Sequence, residues 1–380
     1  KIRVKTTADI TESAEAGDLV GQGTAGAGLL SQLNLDRGLH QYFSGSQDEM
    51  YYGKVRIEYT AYQDDVGKPS QGVQEAQNHM LKLAYMVEEK GLEAHPDKTA
   101  YIIMKGNKKN VVMMEKELKN NPLRFGQYFT MTRRKEDKYL GQYLHEDGTA
   151  ASVASTVASR SGRFKGASFE IRAVIEEFSM AALAGMMAAK VLLERALLPS
   201  LFSGACNWIG MRKATEDQCD DLIYLYWRVM FKVPDGTPNI ALIAETATLR
   251  TKWRVWEAKV MLVKRLQSQD ITSLARMVYE EQLRLGWPGL AEEVKKICLE
   301  VGLPDVNQVM VNKEKVKEMI YYHHYKDMKE QLYKSSKLDG IKHEDFRKEQ
   351  SYMENRSIDR CRTKFCIRTE MMKTFKDNYR

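Results

Sequence analysis

At 380 residues with 43% hydrophobic side chains, the chain has material for roughly two or three folded units, which excludes a disordered tract. Lysine and arginine outnumber aspartate and glutamate by 58 to 51, and the net charge of +7 points weakly to a polyanionic partner without identifying it. Five cysteines, an odd number and mostly far apart, fit a reducing, intracellular setting better than a disulfide scaffold.

In chain order, residues 1 to about 150 mix short strand patterns, glycines and two helical stretches. The run Lys54 to Tyr62 reads as a strand that reaches Asp64 and Asp65, and a polar turn around Gly67, Pro69 and Gly72 follows. Val73, Ala76, Met80, Leu83 and Val87 then recur at spacings of three and four, which predicts a helix with Gly91 as its terminator. Further strands are expected over Thr99 to Met104 and Lys138 to Leu144, the second closing at Glu146-Asp147-Gly148.

From about residue 150 the periodicity is helical. The apolar stretch Met180 to Phe202 is interrupted by Lys190, Glu194 and Arg195, charges whose burial in lipid is costly, so it reads as a buried amphipathic helix and no membrane association is expected. Thr215 with Gln218 spells a capping box before Leu222 to Phe231, and Val233-Pro234-Asp235-Gly236 is a stop signal. Trp253, Trp256, Val260 and Val263 mark the apolar face of another helix, whose other face carries Lys252, Arg254, Lys259, Lys264 and Arg265. That basic face reads equally as a phosphate-contacting surface, through Lys252, Arg254 and Lys259, or as the solvated side of a bundle helix. The tail from Lys313 is a basic helical extension, with Tyr321, Tyr322 and Tyr325 beside Lys326 as lesser candidates for stacking on bases.

Tyr62-Gln63-Asp64-Asp65 is the most informative segment. Two carboxylates about 4 Å apart repel by about 4 kcal/mol at an effective dielectric near 20, and a divalent cation between them removes that penalty. Taken alone, however, an Asp-Asp pair is most often a solvated turn. Gly21, Gly23 and Gly26 form G-x-G-x-x-G, a weak match to a dinucleotide loop because only Leu19-Val20 stand where a strand should precede it. Cys361 and Cys366, taken with His323, His324 or His343, match no common four-ligand zinc spacing.

The order of motifs carries a resemblance. Gly21-Gln22-Gly23-Thr24 with Leu29-Leu30-Ser31-Gln32-Leu33-Asn34, then Tyr62-Gln63-Asp64-Asp65, then Gly91-Leu92 with Pro96, Lys98 and Thr99, then Lys138-Tyr139-Leu140-Gly141, and finally Leu198-Pro199-Ser200-Leu201 before Trp208 resemble successive motifs of non-LTR retrotransposon reverse transcriptases. The resemblance covers most of residues 1 to about 210. It implies an α+β fold: a partial polymerase palm of antiparallel sheet and packed helices over 1–150, a mostly α-helical thumb and connection over 151–312, and the basic C-terminal region 313–380.

It also implies an RNA-directed DNA polymerase that uses magnesium, with manganese as the alternative, on an RNA template, a DNA primer and deoxynucleoside triphosphates, in the nucleus during integration. Asp64 and Asp65 would be the catalytic metal ligands and Lys98 a charge stabiliser at the triphosphate. Gln22, Gly23, Tyr62 and Gln63 would lie against template and nucleotide. The first palm motif, which supplies another metal-binding aspartate, is expected upstream of Lys1, so the 380-residue chain by itself is expected not to polymerise DNA. The alternative is a noncatalytic nucleic-acid-binding relic or domesticated protein.

Overall fold

The computed structural model describes residues 39, 41–43, 50–57, 59–62, 65–106, 108–180, 185–309, 311–335, 338, 341–342, 344–355 and 357–369, with backbone alone at 62 and 178–180. It is an α+β chain dominated by helices, with five small two-stranded sheets among the described residues. Two compact units divide at Leu140-Gly141, two consecutive residues with positive φ. Described residues of the expected 313–380 extension, such as Val316, Ile320, Met328, Leu332 and Phe365, enter the cores of the second unit.

In the first unit, β1 (Met50–Tyr52) pairs with β2 (Val55–Ile57) around Gly53, whose φ of 61° suits a two-residue turn. β3 (Thr60–Tyr62) pairs with β4 (Asp65–Gly67). The expected strand Lys54 to Tyr62 is therefore two strands belonging to different hairpins. Helix α1 (Val73–Glu89) buries Val73, Met80 and Leu83, as their spacing requires. Its end is a Schellman motif: Leu92 N–H donates to Val87 O at 2.8 Å and Gly91 N–H to Glu88 O at 3.0 Å, with Gly91 at φ 61°.

Only β5 (Ala100–Tyr101) forms from the expected Thr99 to Met104 strand, and it runs parallel to β8 (Thr132–Arg133). Between them lie α2 (Lys108–Asn120), β6 (Arg124–Phe125) and β7 (Phe129–Thr130). The expected Lys138 to Leu144 strand is interrupted at Leu140-Gly141, giving β9 (Glu136–Tyr139) before the break and β10 (Gln142–His145) after it. The first unit's core joins Leu39, Phe43, Met80, Leu83, Met86, Leu123 and Phe125. At Gly126 the φ of 53° and an Ala84 Cβ that would lie 2.7 Å from any added Cβ both require glycine, and Phe125 beside it stacks on Phe129 at 5.3 Å.

The second unit is helical. Its elements are α3 (Thr149–Met180), α4 (Met186–Leu192) continuing through a π turn at Leu193–Leu197 into α5 (Leu198–Leu201), α6 (Lys213–Phe231) and α7 (Asn239–Thr246). They are followed by α8 (Thr251–Ser268), α9 (Leu274–Leu285), α10 (Leu290–Val301), α11 (Lys313–Lys334) and α12 (Ile358–Arg368). One core gathers Met186, Leu193, Leu198, Trp227, Phe231, Leu242 and Phe365, with Phe231 stacked on Phe365 at 4.5 Å. Another gathers Trp253, Val260 and Val263 with Val294, Ile297, Val316 and Ile320, so α11 supplies side chains to both.

Charges that broke the apolar run before Phe202 find partners: Lys190 donates to Glu349 and to Thr246 O at 2.8 Å each, and Glu194 accepts from Arg254 at 2.7 Å. No helix among the described residues is long and apolar enough to cross a membrane. The capping box at Thr215 does not form. Arg212 O accepts from Thr215 N–H and Glu216 N–H at 3.0 and 3.1 Å, so the helix starts earlier and Gln218 reaches Ser161 Oγ instead. The helix ends at Lys232, a left-handed residue at φ 53°, ahead of the Pro234–Gly236 stop signal.

Candidate functional site

The hairpin that carries the aspartates is built from alternation. Ala61 pairs with Val66, and both pack against the first unit's core; one residue further on, Tyr62 pairs with Asp65 on the opposite face. Asp65 is accordingly exposed. Only Gln63 and Asp64 connect the two strands. Those two residues, the Tyr62 side chain, and Gln22 and Gly23 lie outside the described residues, so the encounter of Asp64 with the Gln22-Gly23 turn lies there too. The return strand stops at Gly67, before Pro69 can interrupt its pairing.

The face that presents Asp65 has a specific support. Tyr139, from the Tyr-Leu-Gly segment, donates through its hydroxyl to Thr60 O at 3.2 Å and contacts Thr60 Oγ1 at 3.1 Å, while Thr60 Oγ1 donates to Gly67 O at 3.3 Å. A Cβ at Gly67 would lie 2.7 Å from Thr60 Oγ1 and 3.5 Å from the Tyr139 ring, so glycine at this position lets the tyrosine seat. Tyr139 thus meets the hairpin at Thr60, 79 residues away along the chain and two residues before Tyr62.

Lys98 lies in the turn after His95, held by its backbone N–H to His95 O at 3.1 Å, with an exposed side chain that makes no ion pair among the described residues. The strand following that turn is fixed by Arg134, which donates from its backbone to Tyr101 O at 3.0 Å and from its guanidinium to Asp97 O.

Three cations of the basic helix have partners within the fold. Lys259 is buried and pairs with Glu293 at 2.6 Å, Arg254 pairs with Glu194 at 2.7 Å, and Lys252 pairs with Glu300 at 2.7 Å while lying over the Trp253 and Trp256 rings at 4.7 and 4.2 Å. These three cations are therefore engaged within the fold. Trp253 is buried as expected and Trp256 is partly so.

The Leu198-Pro199-Ser200-Leu201 motif is fixed by a residue that sequence reasoning missed. Arg160 donates to Leu201 O and Ser203 O at 2.8 Å each, and Trp208 Nε1 donates to Gln142 Oε1 at 3.1 Å. Only the placement of Arg160 on the long helix α3 brings it there, and no local pattern signals it.

The candidate zinc residues separate into different environments. Cys361 is buried and its thiol contacts Tyr352 O at 3.1 Å, its pKa raised to about 11 chiefly by burial. His324 is buried near Trp253. Among the described residues no group of three His, Cys, Asp or Glu side chains is placed to hold a metal.

Burial, with Arg250 and Arg254 nearby, lowers the His324 pKa from 6.5 to about 3. The folded chain therefore binds fewer protons than the unfolded one between those values, and stability falls as pH drops from about 6.5 toward 3, by up to about 1.4 kcal/mol per pH unit. Urea unfolding at several pH values should show this slope in the native chain and its loss in His324→Leu; an equal slope in both would remove His324 as the cause.

A scan against known protein-family models gives no match, and neither do searches of curated proteins and of solved structures.

Proposed function

We propose that the chain is the later palm and the helical region behind it of an RNA-directed DNA polymerase of the non-LTR retrotransposon type, acting inside the cell and in the nucleus during integration. The observation that carries this reading is the hairpin: Tyr62 stands opposite Asp65 across a two-residue connection, and Tyr139 of the Tyr-Leu-Gly segment lies on the same face.

The donor set suits a hard divalent cation, since the described carboxylate of Asp65 faces outward from the core and Asp64 is its immediate neighbour. Magnesium or manganese bound there would stabilise charge on the entering and leaving oxygens of nucleotidyl transfer. Asp64 and Asp65 would be the residues to hold that cation. Gln22 and Gly23 position the template and nucleotide, with glycine permitting close backbone approach. Lys98, exposed at its turn, offers a cation to the triphosphate.

The exposure of Asp65 also favours a second reading, a solvated turn on a protein that binds nucleic acid without catalysis. Iron-directed backbone cleavage separates the two. With Fe²⁺ in place of Mg²⁺ and peroxide added, the polymerase reading expects cuts at residues 62–66 and near 21–24, suppressed by excess Mg²⁺ and by Asp64→Ala. An uncut hairpin would overturn it in favour of the second reading.

A further inference from the structure

Helices α8 and α11 run antiparallel. Trp253 meets His323, Glu257 lies 3.9 Å from Lys317, and Met261, Lys264 and Arg265 share a groove with Lys313, so the numbering rises along one helix as it falls along the other. Along this pair the cations change character. Lys252, Arg254, Lys259 and Lys317 are each engaged with a glutamate, whereas Lys264, Arg265 and Lys313 make no ion pair among the described residues.

These three cations, with Met261 and Ser268, line a groove of about 320 Å³ that has no acidic residue in its wall among the described residues. Arg265, Ser268 and Lys313 are exposed. Lys313 is also the first residue of a 22-residue helix, whose N-terminus is capped by Asn312 and whose dipole is partly offset by Glu314 in the first turn, so the positive potential here comes from the three side chains. Unneutralised cations concentrated on one concave surface raise the local density of anions, and a fork-shaped guanidinium between two ammonium groups suits successive phosphate oxygens.

We infer that this groove, rather than the paired cations of α8, binds the phosphodiester backbone of a nucleic acid. The nature of the polyanion rests on the polymerase reading; the site itself rests on three cations without ion pairs among the described residues, gathered in one groove.

The test compares the native chain with a Lys264→Gln, Arg265→Gln, Lys313→Gln triple variant, using fluorescent single-stranded RNA and duplex DNA between about 50 and 200 mM salt. A control of equal charge change, Lys165→Gln, Lys295→Gln and Lys334→Gln, alters exposed lysines away from the groove lining. Three duplex phosphate contacts contribute about 2.7 to the logarithmic salt slope, so the native chain should lose roughly 40-fold more duplex affinity across that range than the groove variant, and more than tenfold on single strands.

The control should keep the native slope, and matched thermal unfolding curves should show both variants folded. A groove variant with the native slope, or a control that falls as far, would overturn the proposal. Loss of the slope in the groove variant alongside a hairpin left uncut by the iron-directed cleavage would keep the groove and overturn the polymerase reading instead.

Discussion

Arg368→Ala should destabilise the chain by about 3–5 kcal/mol at pH 7, the loss typical when one partner of a buried ion pair is removed. The reason is Glu245, a fully buried carboxylate near the end of α7. Arg368 Nε donates to both of its oxygens, at 3.2 and 3.0 Å, while the same guanidinium reaches Glu344 and, at 3.1 Å, Gln350 Oε1. One side chain at the end of α12 thus ties α7 to the segment around residues 344–350.

Without Arg368, Glu245 keeps its desolvation and loses its counter-charge. Burial already raises the Glu245 pKa, against the opposing pull of Arg368. A carboxyl whose folded pKa exceeds its unfolded value makes the fold more stable as pH falls through the folded pKa, so acidification should recover part of the variant's loss. Adding Glu245→Gln should recover part of it at pH 7. Denaturant unfolding of the single and double variants checks this; a loss below about 1 kcal/mol that does not vary with pH would mean that water replaces the arginine without penalty.

Legibility in the sequence follows the range of the interactions. Helix α1 was readable because both its buried spacing and its Gly91 stop are local. The hairpin was partly readable: the strand into Asp65 showed in composition, while its division from the Val55–Ile57 strand depends on separate pairing partners. The start and end of α6 were not readable. Thr215 is buried inside the helix, and a lysine, Lys232, takes the left-handed cap while its ammonium pairs with Glu176 on α3.

The engagement of Lys252, Arg254 and Lys259 on α8 was unreadable for the same reason. Its glutamate partners stand 48, 60 and 34 residues from Lys252, Arg254 and Lys259, so no window along the chain distinguishes a tied cation from one available to phosphate. In the first unit, composition implied a glycine turn after the aspartates. It did not reveal that Gly67 is the seat for Tyr139.

The larger effect is expected at the hairpin itself. If Asp64 and Asp65 ligate the catalytic metals, removing either carboxylate withdraws several kcal/mol of transition-state stabilisation, and about 4 kcal/mol corresponds to about a thousandfold in rate. Asp65→Ala should leave the fold almost unchanged, because the side chain is exposed and the Ala61–Val66 pair still anchors the strands. Asp65→Asn keeps the shape and removes the charge, so it should fail nearly as completely.

The most direct measurement is primer extension on an RNA template, in Mg²⁺ and in Mn²⁺, by the polypeptide of the full reading frame carrying Asp64→Ala, Asp65→Ala or Asp65→Asn. The metal-site account predicts template-dependent extension by the parent and a loss of about a thousandfold or more in each variant with unfolding curves unchanged. Extension by all three variants at the parent's rate would contradict it.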